Sequence, residues 1–268
     1  MSFLSELSQL LPSTTPNREV CILKAARHLE LVEAANRHFN LSRISGQREA
    51  AIKHVCDSLI PWQLFARASH VVDVGTGAGF PGIPLALALP QVRFTLLEST
   101  QKKARFVQSA VAELALTNVC VCAVRAEEWL RSHQAELITA RALAPISKAI
   151  ALFAPFVRAG SRVLLYKGPD AELEIQQAQR EAQKRGVQPQ IVFRYELPDQ
   201  AGVRAIVELA AVDRRSQPSP NRPEKLPSPT IAQQNPPRTI RLRVQCCSPA
   251  STGLFCVATR CTACTSFR

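Results

Sequence analysis

The chain has 268 residues, 46% of them hydrophobic and 20% charged, enough for one sizeable core and ordinary for a globular protein. No uncharged apolar run reaches the length of a membrane span, and Met1 to Leu11 contains Glu6 without a basic lead or an apolar block. A membrane protein and a signal peptide are thereby disfavoured, and the cytoplasm is the expected compartment. The formal net charge is +12, but more than half of that excess lies beyond residue 212, so charge gives only weak support for a polyanionic partner.

The first 65 residues read as helical. Glu19 to Phe39 places Cys21, Ile22, Ala25, Leu29, Val32 and Ala35 near one face, with Pro16 and Asn17 as start signals. Gln47 to Leu59 does the same with Ala51, Ile52, Val55, Cys56 and Leu59 and is stopped by Pro61. The piece Asn40 to Gly46 between them is irregular.

From residue 70 short apolar runs alternate with helical segments. His70 to Val74, Arg93 to Leu97, Val119 to Val124, Leu137 to Ala140 and Arg162 to Tyr166 read as strands. Pro84 to Ala88, Gln101 to Leu116, Ile146 to Phe156 and Asp170 to Arg185 read as the helices between them. This alternation predicts an α/β fold, a doubly wound and mostly parallel sheet with an N-terminal helical extension. Ile191 to Glu196 and Val203 to Val212 then predict a closing hairpin across Leu197 to Gly202. Three regions follow: 1–65 helical extension, 66–212 catalytic domain, and 213–268 a Pro-rich, then Cys/Arg-rich tail whose composition predicts disorder.

The densest motif is Asp73-Val74-Gly75-Thr76-Gly77-Ala78-Gly79-Phe80-Pro81-Gly82, a strand entering a glycine turn that opens a helix. Glycines there let the backbone turn sharply and approach a ligand. An acid at the end of the next strand, Glu98, is placed to accept the hydroxyls of a ribose. A dinucleotide site favours a third glycine where this chain has Phe80. The compact Gly75, Gly77, Gly79 pattern beside Asp73 instead suits the amino-acid end of S-adenosylmethionine. The third strand ends in Arg125-Ala126-Glu127-Glu128, where an adenine fits, although acids also suit a plain helix N-terminus. The fourth ends at Arg141, a site candidate or an ion-pair partner of Glu98 or Glu127, and the fifth at Tyr166-Lys167-Gly168.

Together with Asn40-Leu41-Ser42 and His54-x-x-Asp57-Ser58-Leu59, these motifs resemble, in order over residues 4–212, the bacterial small-subunit ribosomal RNA guanine-N7 methyltransferase family, RsmG. The resemblance implies a class I S-adenosylmethionine methyltransferase, with N7 of a guanine in the decoding region of 16S ribosomal RNA as acceptor. It implies cofactor contacts at Gly75, Phe80, Ala126, Glu127 and Arg141, with Glu98 at the ribose; Gly77 joins them from the turn. Asn40, His54, Lys103 and Lys167 are candidate RNA contacts, and Arg43, Arg48 and Lys102 are further phosphate candidates. N7 carries a lone pair and no proton, so no general base is required, and Arg141 is expected to position. Arg141→Ala is expected to lower turnover and leave the fold intact. The expected partner is 16S ribosomal RNA or a small-subunit particle, and the expected state is a monomer without a metal. The competing readings are a methyltransferase with another acceptor, a nicotinamide oxidoreductase and a non-catalytic RNA-binding protein. The tail departs from the family and reads as a misread 3′ end, a basic arm, or a metal appendage built on Cys246, Cys247, Cys261 and Cys264.

Overall fold

The computed structural model describes residues 2–38, 40–44 and 46–212; the expectations for 213–268, zinc among them, lie outside the described residues. Helices α1 (Phe3–Leu10) and α2 (Arg18–Asn36) come first, then a continuous helical run made of α3 (Gln47–Ala50), a π-helical stretch Ala51–Cys56 and α4 (Asp57–Leu59). The alternating part follows as β1 (His70–Val74), α5 (Gly82–Ala88), β2 (Arg93–Leu97), α6 (Gln101–Glu113), β3 (Val119–Cys122), α7 (Ala126–Ser132), β4 (Leu137–Arg141), α8 (Ile146–Arg158), β5 (Arg162–Lys167) and α9 (Ala171–Arg185). Strands β6 (Val187–Glu196) and β7 (Val203–Ala211) end it.

The strands form one sheet in the order β3-β2-β1-β4-β5-β7-β6, parallel from β3 to β5 and antiparallel where β7 joins β5 and β6. The period-two alternation of strand side chains decides which helices cover which face. Val71, Phe94, Leu96, Leu137 and Leu164 point to the side packed by α1, α2, the Gln47–Leu59 run, α5 and α6. Val72, Val74, Leu97, Ile138 and Val163 point to the side packed by α7, α8 and α9. Both faces are therefore buried, as a parallel sheet requires.

Strand order reverses between β1 and β4, so the carboxyl ends of β1, β2 and β4 open on a topological switch point. The N-terminal layer is fastened to the sheet by polar bonds as well as packing: the Tyr166 hydroxyl donates to the Ser58 carbonyl at 3.0 Å, and the Tyr195 hydroxyl to the Asp57 carboxylate at 2.9 Å. Some boundaries differ from the sequence expectation. Helix α5 starts at Gly82, because Pro84 falls in a first turn whose N–H groups have no helical partner to lose. Strand β6 starts at Val187, ahead of Ile191, because pairing with β7 carries Gln188, Pro189 and Gln190, which no apolar run marks.

Candidate active site

β1 runs into Gly75, whose N–H donates to the Leu97 carbonyl at 2.9 Å and ties the turn to β2. Gly75 and Gly77 have φ of 70° and 63°, a region costly for a side-chain-bearing residue. Beneath the turn, the buried Asp73 carboxylate accepts from the Thr76 hydroxyl at 2.7 Å and from the Gly82 N–H at 3.0 Å. Asp73 thus organises the loop from inside and does not face a ligand. Burial pushes its carboxyl up to about 6, and its Oδ1 has no hydrogen-bond partner. At Gly82 a Cβ would lie 2.2 Å from Leu96 Cδ2 and 2.8 Å from Asp73 Oδ2, so this glycine is required by close approach.

Glu98 sits just past β2, buried, and receives the N–H of Gly77 at 3.1 Å and of Thr100 at 2.8 Å, one on each oxygen. Each carboxylate oxygen has a second lone pair, so the group keeps acceptor capacity for a diol while its orientation is held by the backbone. Beside it lies a cavity of ≈ 300 Å³ lined among others by Gly75, Leu97, Ala126, Glu127 and Leu143. Its apolar walls suit a purine, and the glycine turn and Glu98 suit the remainder of an adenosyl amino acid. S-adenosylmethionine therefore fits the residues present.

Of the proposed cofactor contacts, Gly75, Ala126 and Glu127 line this cavity; Gly77 and Glu98 do not, but Glu98 stands between Leu97 and Ser99, which do, and accepts the Gly77 N–H. Phe80 and Arg141 belong instead to a layer behind the turn. The Phe80 ring is buried and stacked with His54, centroids 4.5 Å apart, and with His28, 4.6 Å apart. The Arg141 guanidinium carbon lies 5.5 Å from the Phe80 centroid. Its Nη1 donates to the Lys53 carbonyl at 3.0 Å and to Asp57 Oδ2 at 3.1 Å, and its Nη2 to His54 Nδ1 at 3.3 Å. The ion pair of Arg141 is therefore with Asp57, and not with Glu98 or Glu127 as the sequence alone suggested.

That geometry sets the histidine tautomer. A guanidinium only donates, so His54 Nδ1 accepts, and its Nε2–H donates to the Ser42 hydroxyl at 2.8 Å. Burial, reinforced by the Arg141 charge, lowers the imidazole to about 3. His54 consequently sits inside as a neutral bridge and presents no free polar atom to a phosphate. Lys167 is likewise turned inward: its ammonium donates to the Ala144 carbonyl and to Glu174, both at 2.7 Å. Arg48 is held between Glu6 and Asp199. Asn40 and Arg43 are exposed in the irregular loop, Lys102 is exposed on α6, and Lys103 is half-buried there.

Two residues of this layer were missed as site candidates. His28 is wholly buried, bonds the Ala78 carbonyl at 2.8 Å through Nε2 and leaves Nδ1 without a partner. Burial lowers it to about 4. Its spacing from Cys21, Ala25 and Val32 puts it on the apolar stripe of α2, which was a legible signal. Asp57 lay within the His54-x-x-Asp57 motif, but only the fold shows that it joins Arg141, Tyr195 and Arg204. Among the described residues no cluster of His, Cys, Asp or Glu suited to a metal is found, and no helix is long and apolar enough to cross a membrane.

The family model of the rRNA small subunit methyltransferase G matches residues 22–201. The Ribosomal RNA small subunit methyltransferase G of Solibacter usitatus is 61% identical over 209 residues, covering 78% of this chain and 100% of the relative. That of Carboxydothermus hydrogenoformans is 35% identical over 204 residues, covering 74% of this chain and 86% of the relative. The crystal structure of cofactor-bound Rv0187 from MTB superposes with a TM-score of 0.51 at 17% identity, over 70% of this chain and 89% of that one, a likeness of fold.

Proposed function

The chain belongs to the ribosomal RNA small subunit methyltransferase G family, and from that premise we propose that it transfers a methyl group from S-adenosylmethionine to N7 of a guanine in 16S ribosomal RNA. The observation that carries the reading is the joined pair of glycine turn and Glu98 beside an apolar cavity at the switch point of the sheet. In that pair Glu98 accepts the ribose hydroxyls, the backbone of Gly75 and Gly77 admits close approach, and Ala126 and Glu127 flank the adenine. S-adenosylmethionine supplies a methyl group activated on a sulfonium.

The residues have little proton chemistry to do. Guanine N7 offers an in-plane lone pair and bears no proton, so the chain's work is to bind, orient and exclude water. Orientation of this kind is worth roughly 7–11 kcal/mol in favourable cases. The acceptor enters unstacked, as bases read by RNA-modifying proteins usually are. Residues 66–212 form the catalytic region and 1–65 the layer behind it. Asn40 and Lys103, with Arg43 and Lys102, remain the candidates for RNA contact, and Arg141 contacts the cofactor and positions it. A monomer in the cytoplasm, working on 16S ribosomal RNA or a small-subunit particle, completes the reading.

The test is incorporation of labelled methyl from S-adenosylmethionine into small-subunit RNA and particles lacking the modification, with mapping of the labelled base. Label at a guanine N7 is expected. Cofactor binding without transfer to either substrate would overturn the acceptor.

A further inference from the structure

The π-helical stretch Ala51–Cys56, with Asp57 directly after it, carries the acceptors that Arg141 meets in the N-terminal layer. A π turn displaces carbonyls from the regular helical ladder and recurs at functional sites. Here the Lys53 carbonyl takes a guanidinium N–H at 3.0 Å, Asp57 Oδ2 takes another at 3.1 Å, and His54 Nδ1 takes one from Nη2. Asp57 is itself held by the Tyr195 hydroxyl on Oδ1, with Arg204 Nε 3.7 Å away. A guanidinium has five N–H groups in a fixed plane. Nε and one N–H of Nη2 are left without a partner among the described residues, on a side chain 15% exposed.

The end of β4 lies beside the glycine turn. Asp73 of β1 pairs with Thr139 of β4, the last pair the two strands make, and Arg141 follows two residues on at the end of β4. Leu143 confirms the proximity, its Cδ1 standing 3.0 Å from where a Gly75 Cβ would be. Arg141, although it does not line the cavity, thus carries two spare donors at a strand end beside the glycine turn. Two parallel N–H groups of a guanidinium match an oxyanion with two oxygens.

We propose that Asp57 and His54 are positioning residues for methyl transfer, holding one side of the Arg141 guanidinium so that its remaining donors receive the α-carboxylate of the cofactor's amino-acid end. The inference rests on the proposed cofactor. An RNA phosphate offers the same oxygens, but the glycine turn beside Arg141 favours the carboxylate. Neither Asp57 nor His54 touches the ligand; both act through Arg141. His54 in its neutral form is required, because a proton on Nδ1 would oppose the guanidinium.

Titration calorimetry on the full chain decides it, with S-adenosylhomocysteine and with 5′-methylthioadenosine, which lacks the amino-acid end. Asp57→Asn and His54→Phe, the latter keeping a ring on Phe80, are each expected to weaken S-adenosylhomocysteine about tenfold. Both should leave 5′-methylthioadenosine within about twofold. In an Arg141→Met background Asp57→Asn should add nothing, which a purely structural role would not produce. Melting curves identify any variant that fails to fold, and His54→Phe alone decides the question if Asp57→Asn does. Equal weakening of both ligands, no weakening of either, or an Asp57→Asn effect that persists without Arg141 overturns the proposal. So does unchanged S-adenosylhomocysteine binding with a raised KM for RNA, which would assign the donors to phosphate. A wild-type chain that binds neither ligand overturns the cofactor reading itself.

Discussion

Replacing Arg141 by alanine removes the cationic partner of a carboxylate whose side chain is only 7% exposed. Removing one member of a buried pair typically costs about 3–5 kcal/mol, because the remaining charge is left without compensation. Asp57 keeps the Tyr195 hydroxyl at 2.9 Å and Arg204 Nε at 3.7 Å, which places the loss at the low end, about 3 kcal/mol. For a folded region of this size that is a fall in Tm of about 6–12 °C. The expectation that Arg141→Ala spares the fold, drawn from a lone arginine at a strand end, is thus replaced by one of coupled loss of stability and turnover. Urea unfolding of wild type, Arg141→Ala, Asp57→Asn and the double variant measures it. The double variant should recover about half of the Arg141→Ala loss, since the orphaned charge is gone. A loss below about 1 kcal/mol, or none recovered in the double variant, would refute the argument that the buried carboxylate is what Arg141 serves.

Glu98→Gln retains an oxygen for a backbone N–H but loses the charge; binding of S-adenosylhomocysteine should weaken about tenfold while the melting temperature changes little, read by calorimetry and thermal melts. Gly82→Ala puts a methyl 2.2 Å from Leu96 Cδ2, and with Leu96 fully buried the urea midpoint should fall by the equivalent of about 1–3 kcal/mol. Stability should also fall on acidification from pH 7 to 5. His28 and His54, lowered to about 4 and about 3, contribute stability present above the ordinary imidazole range and lost as pH falls towards those values. Asp73, raised to about 6, works in the opposite sense, its stability being present below the ordinary carboxyl range and lost as pH rises through 6. Two imidazoles against one carboxyl leave a net loss of about 2–3 kcal/mol, and a midpoint that holds or rises at pH 5 would contradict it.

Much of the catalytic region was legible because its signals are local. β1 and β2 have the bounds their apolar runs predict, and the glycine turn and Glu98 lie where a strand-turn-helix pattern places them. The layer behind the turn was not legible, because its bonds join residues far apart in sequence. Arg141 meets Asp57 across 84 positions and Tyr195 meets Asp57 across 138. Nothing in the runs around Phe80 distinguishes a ring that touches a ligand from one stacked between two imidazoles. The candidacy of His54 and Lys167 for RNA contact rests on a motif and on a strand end, and neither reveals that a side chain is turned inward. The π-helical stretch was equally hidden, since its apolar spacing reads as an ordinary helix.

The placement of β7 between β5 and β6 has a consequence for synthesis. Residues up to Lys167 can assemble a five-stranded parallel sheet, but β5 is then an open edge whose central residues, Val163 to Leu165, are hydrophobic and buried when folding is complete. That edge is closed not by the next strand to emerge but by the one after it, Val203–Ala211. A nascent chain therefore carries an adhesive, unpaired margin until almost all of its described length has been made, and a premature stop within β6 would release it in that state. Misfolding and capture by chaperones should accordingly concentrate in the interval between residue 168 and residue 211.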